Sequence, residues 1–323
     1  MNAARIALVS FVLLPAAGLR AQAPAADPQQ AAPIERQTPQ IPTIHVESRL
    51  VSVAMNVVDA TGAPVGGLTQ ADFEIAEDGK PQKIAVFEKE SSTPLEIVLA
   101  IDASESVFAD DRLERDAAKS FVRSLLRPQD RLDLMSFSDS VDELAGFTSD
   151  THAIEDGLSR IQHGDATAMY DAVYLASQRL GEAPAAPGAR KVVVLITDGE
   201  NTTHHGSYDD AIEQAERAGA MLYALIIVPV DADAGRNTGG EHALIQMSRD
   251  TGGKYYYVED KHDLGPAFQH VSDDLRTQYT VGYYAPQHGG DGSGLRHIHM
   301  ELKDPTLRAK YTLRYRTAYY GNR

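Results

Sequence analysis

Four apolar runs constrain this chain more than any other feature: "LEIVLAI" from Leu95, "RLDLMSF" from Arg131, "KVVVLIT" from Lys191 and "AMLYALIIV" from Ala220. Each has the length of a strand, and three of them are apolar at successive rather than alternate positions over most of their length, the mark of strands buried on both faces. Segments with helical spacing lie between or after them. Leu113, Ala117, Phe121 and Leu125 recur every four residues, and Leu264, Phe268, Val271 and Leu275 trace a second helical face. Buried strands alternating with helices imply an α/β fold, an open, doubly wound, mostly parallel sheet covered on both sides. Such sheets bind ligands beyond the carboxyl ends of their strands, near the point where strand order reverses. The first run ends in Asp102-Ala103-Ser104-Glu105-Ser106, which places an acidic, hydroxyl-rich turn at such an end.

The flanks read differently. "RLVSVAMNVVDA" and "DFEIAEDGKPQKIAVFEK" alternate with strand period, and Asp78-Gly79 between two such runs is a hairpin signal. After about Gln278, "YTVGYYAP", "RHIHMELK" and "AKYTLRYRTAYY" return to strand character. Residues 43–92 are too short to close a sandwich alone, and a separate terminal hairpin is marginal. The expectation is one small β-sandwich-like domain built from 43–92 and 279–323, with the α/β domain, 93–278, inserted between its halves.

The N-terminus, "MNAARIALVSFVLLPAAGLRAQA", has a basic start at Arg5, an apolar stretch and small residues at Ala21 and Ala23, the pattern of a cleavable export signal over 1–23. Residues 24–42, rich in Pro, Ala and Gln, read as a disordered linker. The expected location is therefore periplasmic or extracellular. With no cysteine, the chain has no disulfide framework. Its 46 acidic residues against 30 basic ones give a formal charge of −16, and loss of Arg5 and Arg20 with the signal would make it −18. Such a surface disfavours nucleic acid. No later segment has the apolar length of a transmembrane helix.

Three loops carry oxygen donors: Asp102, Ser104 and Ser106 after the first strand, Thr167 in "HGDATAMYDAV" before a helix, and Asp198 at the end of "KVVVLITDG". Carboxylates and hydroxyls are hard ligands, suited to Mg²⁺, Mn²⁺ or Ca²⁺. Two carboxylates and three neutral hydroxyls leave a divalent ion partly exposed in charge, and so receptive to an outside anion. The alternating serines are expected to enter the following helix, whose dipole favours that anion and repels the cation.

"DASES", "GDATAMYDA" and "ITDG", in this order, resemble the metal-ion-dependent adhesion site of von Willebrand factor A-type domains. The wider chain, including "GAPVGGLTQADFEIAEDGKPQKIAVFE", is similar to exported VWFA-related proteins of acidobacteria. The resemblance implies Ser104, Ser106 and Thr167 as hydroxyl ligands, with Asp102 and Asp198 coordinating directly or through water, and Mg²⁺ as the ion. Where the family has Gly-Gly-Thr, this chain has Asp165-Ala166-Thr167. The function implied is a non-enzymatic adhesion module that captures an Asp or Glu of a protein partner. The alternatives are a structural envelope component with a purely stabilising metal, and a metal-dependent hydrolase with Glu105 or Glu200 as base; no nucleophile elbow or metalloprotease helix motif favours the latter. His204-His205, His297 with His299, and the aspartate-rich "VDADAGRNTGGEH" read as solvated or surface residues rather than metal ligands.

Overall fold

The structure is a computed structural model that describes residues 49–89, 93–104, 111–184, 186, 188–228, 238–285 and 294–321. The proposed signal and linker, 1–42, lie outside the described residues, as does Ser106.

The N-terminal strands are β1 (Arg49–Val58), β2 (Phe73–Glu77), β3 (Lys80–Gln82) and β4 (Ile84–Glu88). The turn between β2 and β3 has positive φ at Asp78 (48°) and Gly79 (74°), the backbone that a two-residue hairpin with the right-handed strand twist requires. The α/β region follows with β5 (Leu95–Asp102), α1 (Asp111–Leu125), β6 (Arg131–Phe137), β7 (Val141–Thr148), α2 (Thr151–Leu158), α3 (Met169–Glu182), β8 (Arg190–Thr197), α4 (Tyr208–Ala218), β9 (Ala220–Ile227), α5 (Thr238–Asp250), β10 (Lys254–Val258) and α6 (Leu264–Arg276). The chain closes with β11 (Tyr279–Ala285), β12 (Leu295–Leu302), α7 (Pro305–Lys310), β13 (Thr312–Tyr315) and β14 (Ala318–Tyr320).

Six strands form the central sheet in the order β10-β9-β8-β5-β6-β7, parallel except for the antiparallel edge strand β7. The four apolar runs are its four inner strands, and β5 and β9 are buried at every position. One face packs on α1, α2 and α6, where Phe121 and Phe268 stack with ring centroids 4.4 Å apart. The other packs on α3, α4 and α5. The fold class is the expected doubly wound α/β arrangement.

Strands from the two chain ends pair directly. β1 and β4 flank β11 in the antiparallel sheet β13-β1-β11-β4, and β12 pairs with β2 in the sheet β14-β12-β2-β3. Val53, Met55 and Phe73 from the first half share one buried core with Val281, Tyr283 and Met300 from the second. A buried Glu77 accepts from Tyr283 Oη at 2.7 Å and Tyr319 Oη at 2.8 Å, so this core is also tied by hydrogen bonds.

Two elements differ from the sequence reading. β7 is half exposed and carries little alternation, so its strand character comes from pairing with β6. Between the last two expected strand runs, and over the first two residues of the second, Pro305–Lys310 is a helix, started by Asp304, whose side chain accepts from the Thr306 N–H at 2.7 Å, and by a proline in the first turn.

Because β1 and β4 find their hydrogen-bonding partner in β11, deletion of everything after Gln278 should strip protection from residues 49–88. Amide hydrogen exchange checks this: those residues should exchange freely in the truncated chain, whereas the core of β5 and β8 should retain its protection.

Candidate metal centre

Strand order reverses around β5. The chain leaves β5 for β6 on one side and later returns to β8 on the other, so the carboxyl ends of β5 and β8 border a crevice. Asp102 is the last residue of β5 and is fully buried. Its Oδ1 accepts from the Ser104 N–H (2.9 Å) and the Ser104 hydroxyl (2.6 Å), while Oδ2 accepts from the Thr197 hydroxyl (2.6 Å). Asp198 follows β8, also buried, with Oδ1 accepting from the Glu200 N–H at 3.0 Å.

The loop bearing Thr167 is stitched to both neighbours. Ser104 bridges Gly164, and the Gly164 N–H donates to Ala103 O at 3.2 Å. The Thr167 N–H donates to Thr202 Oγ1 at 2.8 Å, and Thr167 O accepts from the Thr202 N–H at 3.0 Å. Tyr170 N–H, at the start of α3, donates to Asn201 Oδ1 at 3.2 Å. Thr167 is buried, and its hydrogen bonds to Thr202 are made by its backbone N–H and C=O. The three loops named from the sequence therefore meet, with Asp102, Ser104, Thr167 and Asp198 at the carboxyl ends of the central strands.

Burial raises the Asp102 carboxyl from 3.8 to about 6; the bonds from Ser104 and Thr197 oppose that rise, and the neighbouring Asp198 charge adds to it. No Lys, Arg or His bonds to Asp102 or Asp198 among the described residues. Two buried carboxylates beside the hydroxyl-bearing residues Ser104 and Thr167 fit a hard divalent cation, which would supply the missing positive charge. No group of three or more His, Cys, Asp or Glu of the kind that encloses a metal occurs among the described residues, so the donor set is a mixed one.

The expectation that Ser104 enters a helix is corrected. Ser104 lies in the bridge to Gly164, and helix α1 is described from Asp111. His204 and His205 are exposed, and His297 and His299 share the exposed face of β12. The aspartate-rich stretch is only partly described, and from Thr238 it is helix α5 rather than loop.

Three contributors escaped the sequence reading. Thr197 orients Asp102 across the strand gap, and Thr202 holds the Thr167 loop. Gly240 lets α5 approach the turn after Asp198: a Cβ there would fall 1.6 Å from Gly199 O, and Gly199 itself has φ of 85°. The polar run "TDGENTT" signals a loop, but its cross-loop bonds depend on the third dimension.

Two outcomes follow for the metal-free protein. The folded pKa of Asp102 lies above its ordinary value, so its unfavourable contribution grows as pH rises from about 4 and is complete above about 6; at two units it amounts to about 3 kcal/mol. In EDTA, Asp102→Asn should therefore be more stable than the wild type at pH 7 and lose that advantage near pH 4, read by denaturant titration at both values. Gly240→Ala should lower stability by about 1–3 kcal/mol through overpacking against Gly199, read by the same titration.

A family model for the von Willebrand factor type A domain matches residues 96–270. Integrin alpha-X of Mus musculus is 28% identical over 153 residues, covering 40% of this chain and 12% of the integrin, so the chain spans a small part of that relative's length. Among solved structures, BatB from Bacteroides thetaiotaomicron is 22% identical with a TM-score of 0.45, over 56% of this chain and 97% of that one. Proximal thread matrix protein 1 from the mussel byssus, in a structure with a zinc-occupied MIDAS motif, is 18% identical with a TM-score of 0.48, over 64% of this chain and 50% of that one. With the family model spanning more than half of its residues, this chain belongs to the von Willebrand factor type A domain family.

Proposed function

We propose that the chain is a non-enzymatic, exported protein-binding module that uses a divalent cation, Mg²⁺ in the first instance, to capture an acidic side chain of a partner protein. Asp102, Ser104, Ser106, Thr167 and Asp198 would hold the ion. The observation that carries this reading is the burial of Asp102 and Asp198 at adjacent strand ends with neutral donors alone around them. A bound divalent ion would supply positive charge and an electrophilic position for a carboxylate. The chain's own residues do the rest: Thr197 and Ser104 fix the Asp102 carboxylate, and the Thr202 bonds hold the Thr167 hydroxyl at the crevice.

The export signal over 1–23 would deliver this module outside the cytoplasm, where its partner would be a surface or envelope protein presenting Asp or Glu. Among the described residues no helix is long and apolar enough to cross a membrane. The domain division proposed is a sandwich from 43–92 and 279–323 carrying the A-type domain, 93–278, as an insertion.

The cation should add stability without creating the fold, since the ligands are preassembled by buried strands. At ten times its dissociation constant it contributes about 1.4 kcal/mol. Asp102→Ala should abolish the rise in melting temperature with Mg²⁺ and leave the circular dichroism unchanged; an equal rise in the mutant overturns the assignment. Affinity capture from an envelope fraction with Mg²⁺, repeated in EDTA, tests the function. Capture should disappear in EDTA and weaken in Thr167→Ala, and capture that survives both removes the metal from the binding event.

A further inference from the structure

The loop after β8 does more than carry Asp198. Its residues 201–203 run beside residues 167–170 and bond to them in succession. The Thr167 N–H donates to Thr202 Oγ1 at 2.8 Å, and Thr167 O accepts from the N–H groups of Thr202 at 3.0 Å and Thr203 at 3.4 Å. Asn201, half-buried, reaches further along: its Oδ1 accepts from the Tyr170 N–H at 3.2 Å, while its Nδ2 donates to Thr203 O at 2.9 Å and so fixes the side chain. The same loop then lies against the first turn of α3, since a Cβ at Gly206 would fall 2.8 Å from Asp171 Oδ1 and 2.9 Å from Asp171 N.

Tyr170 is the second residue of α3, where an N–H has no carbonyl within the helix to bond. A helix commonly satisfies such a donor with the side chain of its own N-cap residue, a Ser, Thr, Asp or Asn. Helices α2, α4 and α7 do so, with Asp150, Ser207 and Asp304. The N-cap residue of α3 is Ala168, whose methyl group accepts nothing. Asn201 supplies the missing acceptor from another loop.

The two segments joined by this bond each carry a candidate ligand. Thr167 stands just before α3, and Asp198 lies in the loop of Asn201. Holding α3 and that loop together beforehand lowers the cost of ordering them around an ion. Linkage makes the relation mutual: whatever the cap does for the ion, the ion does for the cap.

We propose that Asn201 is a positioning residue of the metal centre: by capping α3 from the loop after Asp198, it fixes Thr167 and Asp198 relative to each other, so that cation binding and the order of the first turn of α3 depend on one another. With its Oδ1 and Nδ2 both bonded within the protein, Asn201 acts through the backbone it holds. The role presupposes the divalent site proposed above.

Two measurements on the full chain test it. Amide hydrogen exchange at Tyr170 is followed in EDTA and with excess Mg²⁺. In EDTA it should be about fivefold faster in Asn201→Ala than in the wild type, as loss of a cap implies, and should return toward the wild-type rate in Asn201→Asp, which keeps an acceptor. In the wild type Mg²⁺ should slow it further. The dissociation constant of Mg²⁺, obtained from the dependence of unfolding free energy on free Mg²⁺, should rise about threefold in Asn201→Ala, since only part of the cap is felt at the ion. Asp304→Ala is the control: it removes a cap from α7, in the sandwich, and should lower stability while leaving the Mg²⁺ constant unchanged. A Mg²⁺ constant in Asn201→Ala equal to that of the wild type overturns the proposal, as does Tyr170 exchange that Mg²⁺ leaves unchanged in the wild type. The latter comparison needs no variant, so it decides the matter should Asn201→Ala not fold. If the stability of the wild type shows no dependence on Mg²⁺, the metal reading falls and the role of Asn201 with it; a wild-type response that Asn201→Ala leaves intact removes the role of Asn201 alone.

Discussion

The reversal of strand order at β5 is the constraint on which the rest of the molecule depends. A strand with parallel neighbours on both sides, β6 and β8, has its carboxyl end between two loops that diverge to opposite faces of the sheet. Asp102 occupies that end, and the buried position that isolates it from water also raises the free energy of its charge. Thr197 and Ser104 offset part of that cost by hydrogen bonding. What remains is a carboxylate with a deficit of positive charge, beside a second, Asp198. In the proposed reading, the fold would give such a site its affinity for a hard cation, because the sheet gathers the oxygen donors before any ion arrives.

Rigidity comes from the loops as much as from the strands. Thr167 is held through its backbone, by Thr202 on both its N–H and C=O. The contact of Gly240 with Gly199 acts in the same direction, since it presses α5 against the turn that carries Asp198. Substitutions at residues that never touch an ion can therefore alter the centre by moving the backbone under it.

How much of this was legible in the sequence depended on the range of the signal. The four apolar runs became the four inner strands because burial on both faces leaves a local mark on composition. Asp102, Thr167 and Asp198 could be placed because each adjoins a strand end or a helix start. β7 could not, since an edge strand with exposed Asp142 and Glu143 has little pattern of its own and is defined by its partner. The short helix α7 was legible in principle, through Asp304-Pro305, but the β-rich residues after it masked that signal. The roles of Thr197, Gly240 and Arg190 were out of reach, because each arises from contact with a segment distant along the chain. Arg190, just before an apolar run, carries no local signal of burial; it is buried beside Gln278, which precedes β11.

The same packing explains how an α/β unit can interrupt a sandwich without separating its halves. The chain enters the α/β sheet at Leu95, whose N–H donates to Asp130 Oδ1 at 2.8 Å, and leaves it through α6, whose Arg276 reaches the other oxygen of the same carboxylate. Arg190 adds a second clasp: its N–H donates to Pro94 O at 2.9 Å and its guanidinium to Gln278. Entry and exit are thus held side by side, so β4 and β11, which flank the insertion in sequence, can pair as neighbours in one sheet. The entropy of closing the long insertion is met by its own folding, and the sandwich experiences it as a short, rigid connection. Asp130 and Arg190 thus join Asn56, Gln278 and Tyr223 among the groups through which the two parts of the fold share their stability.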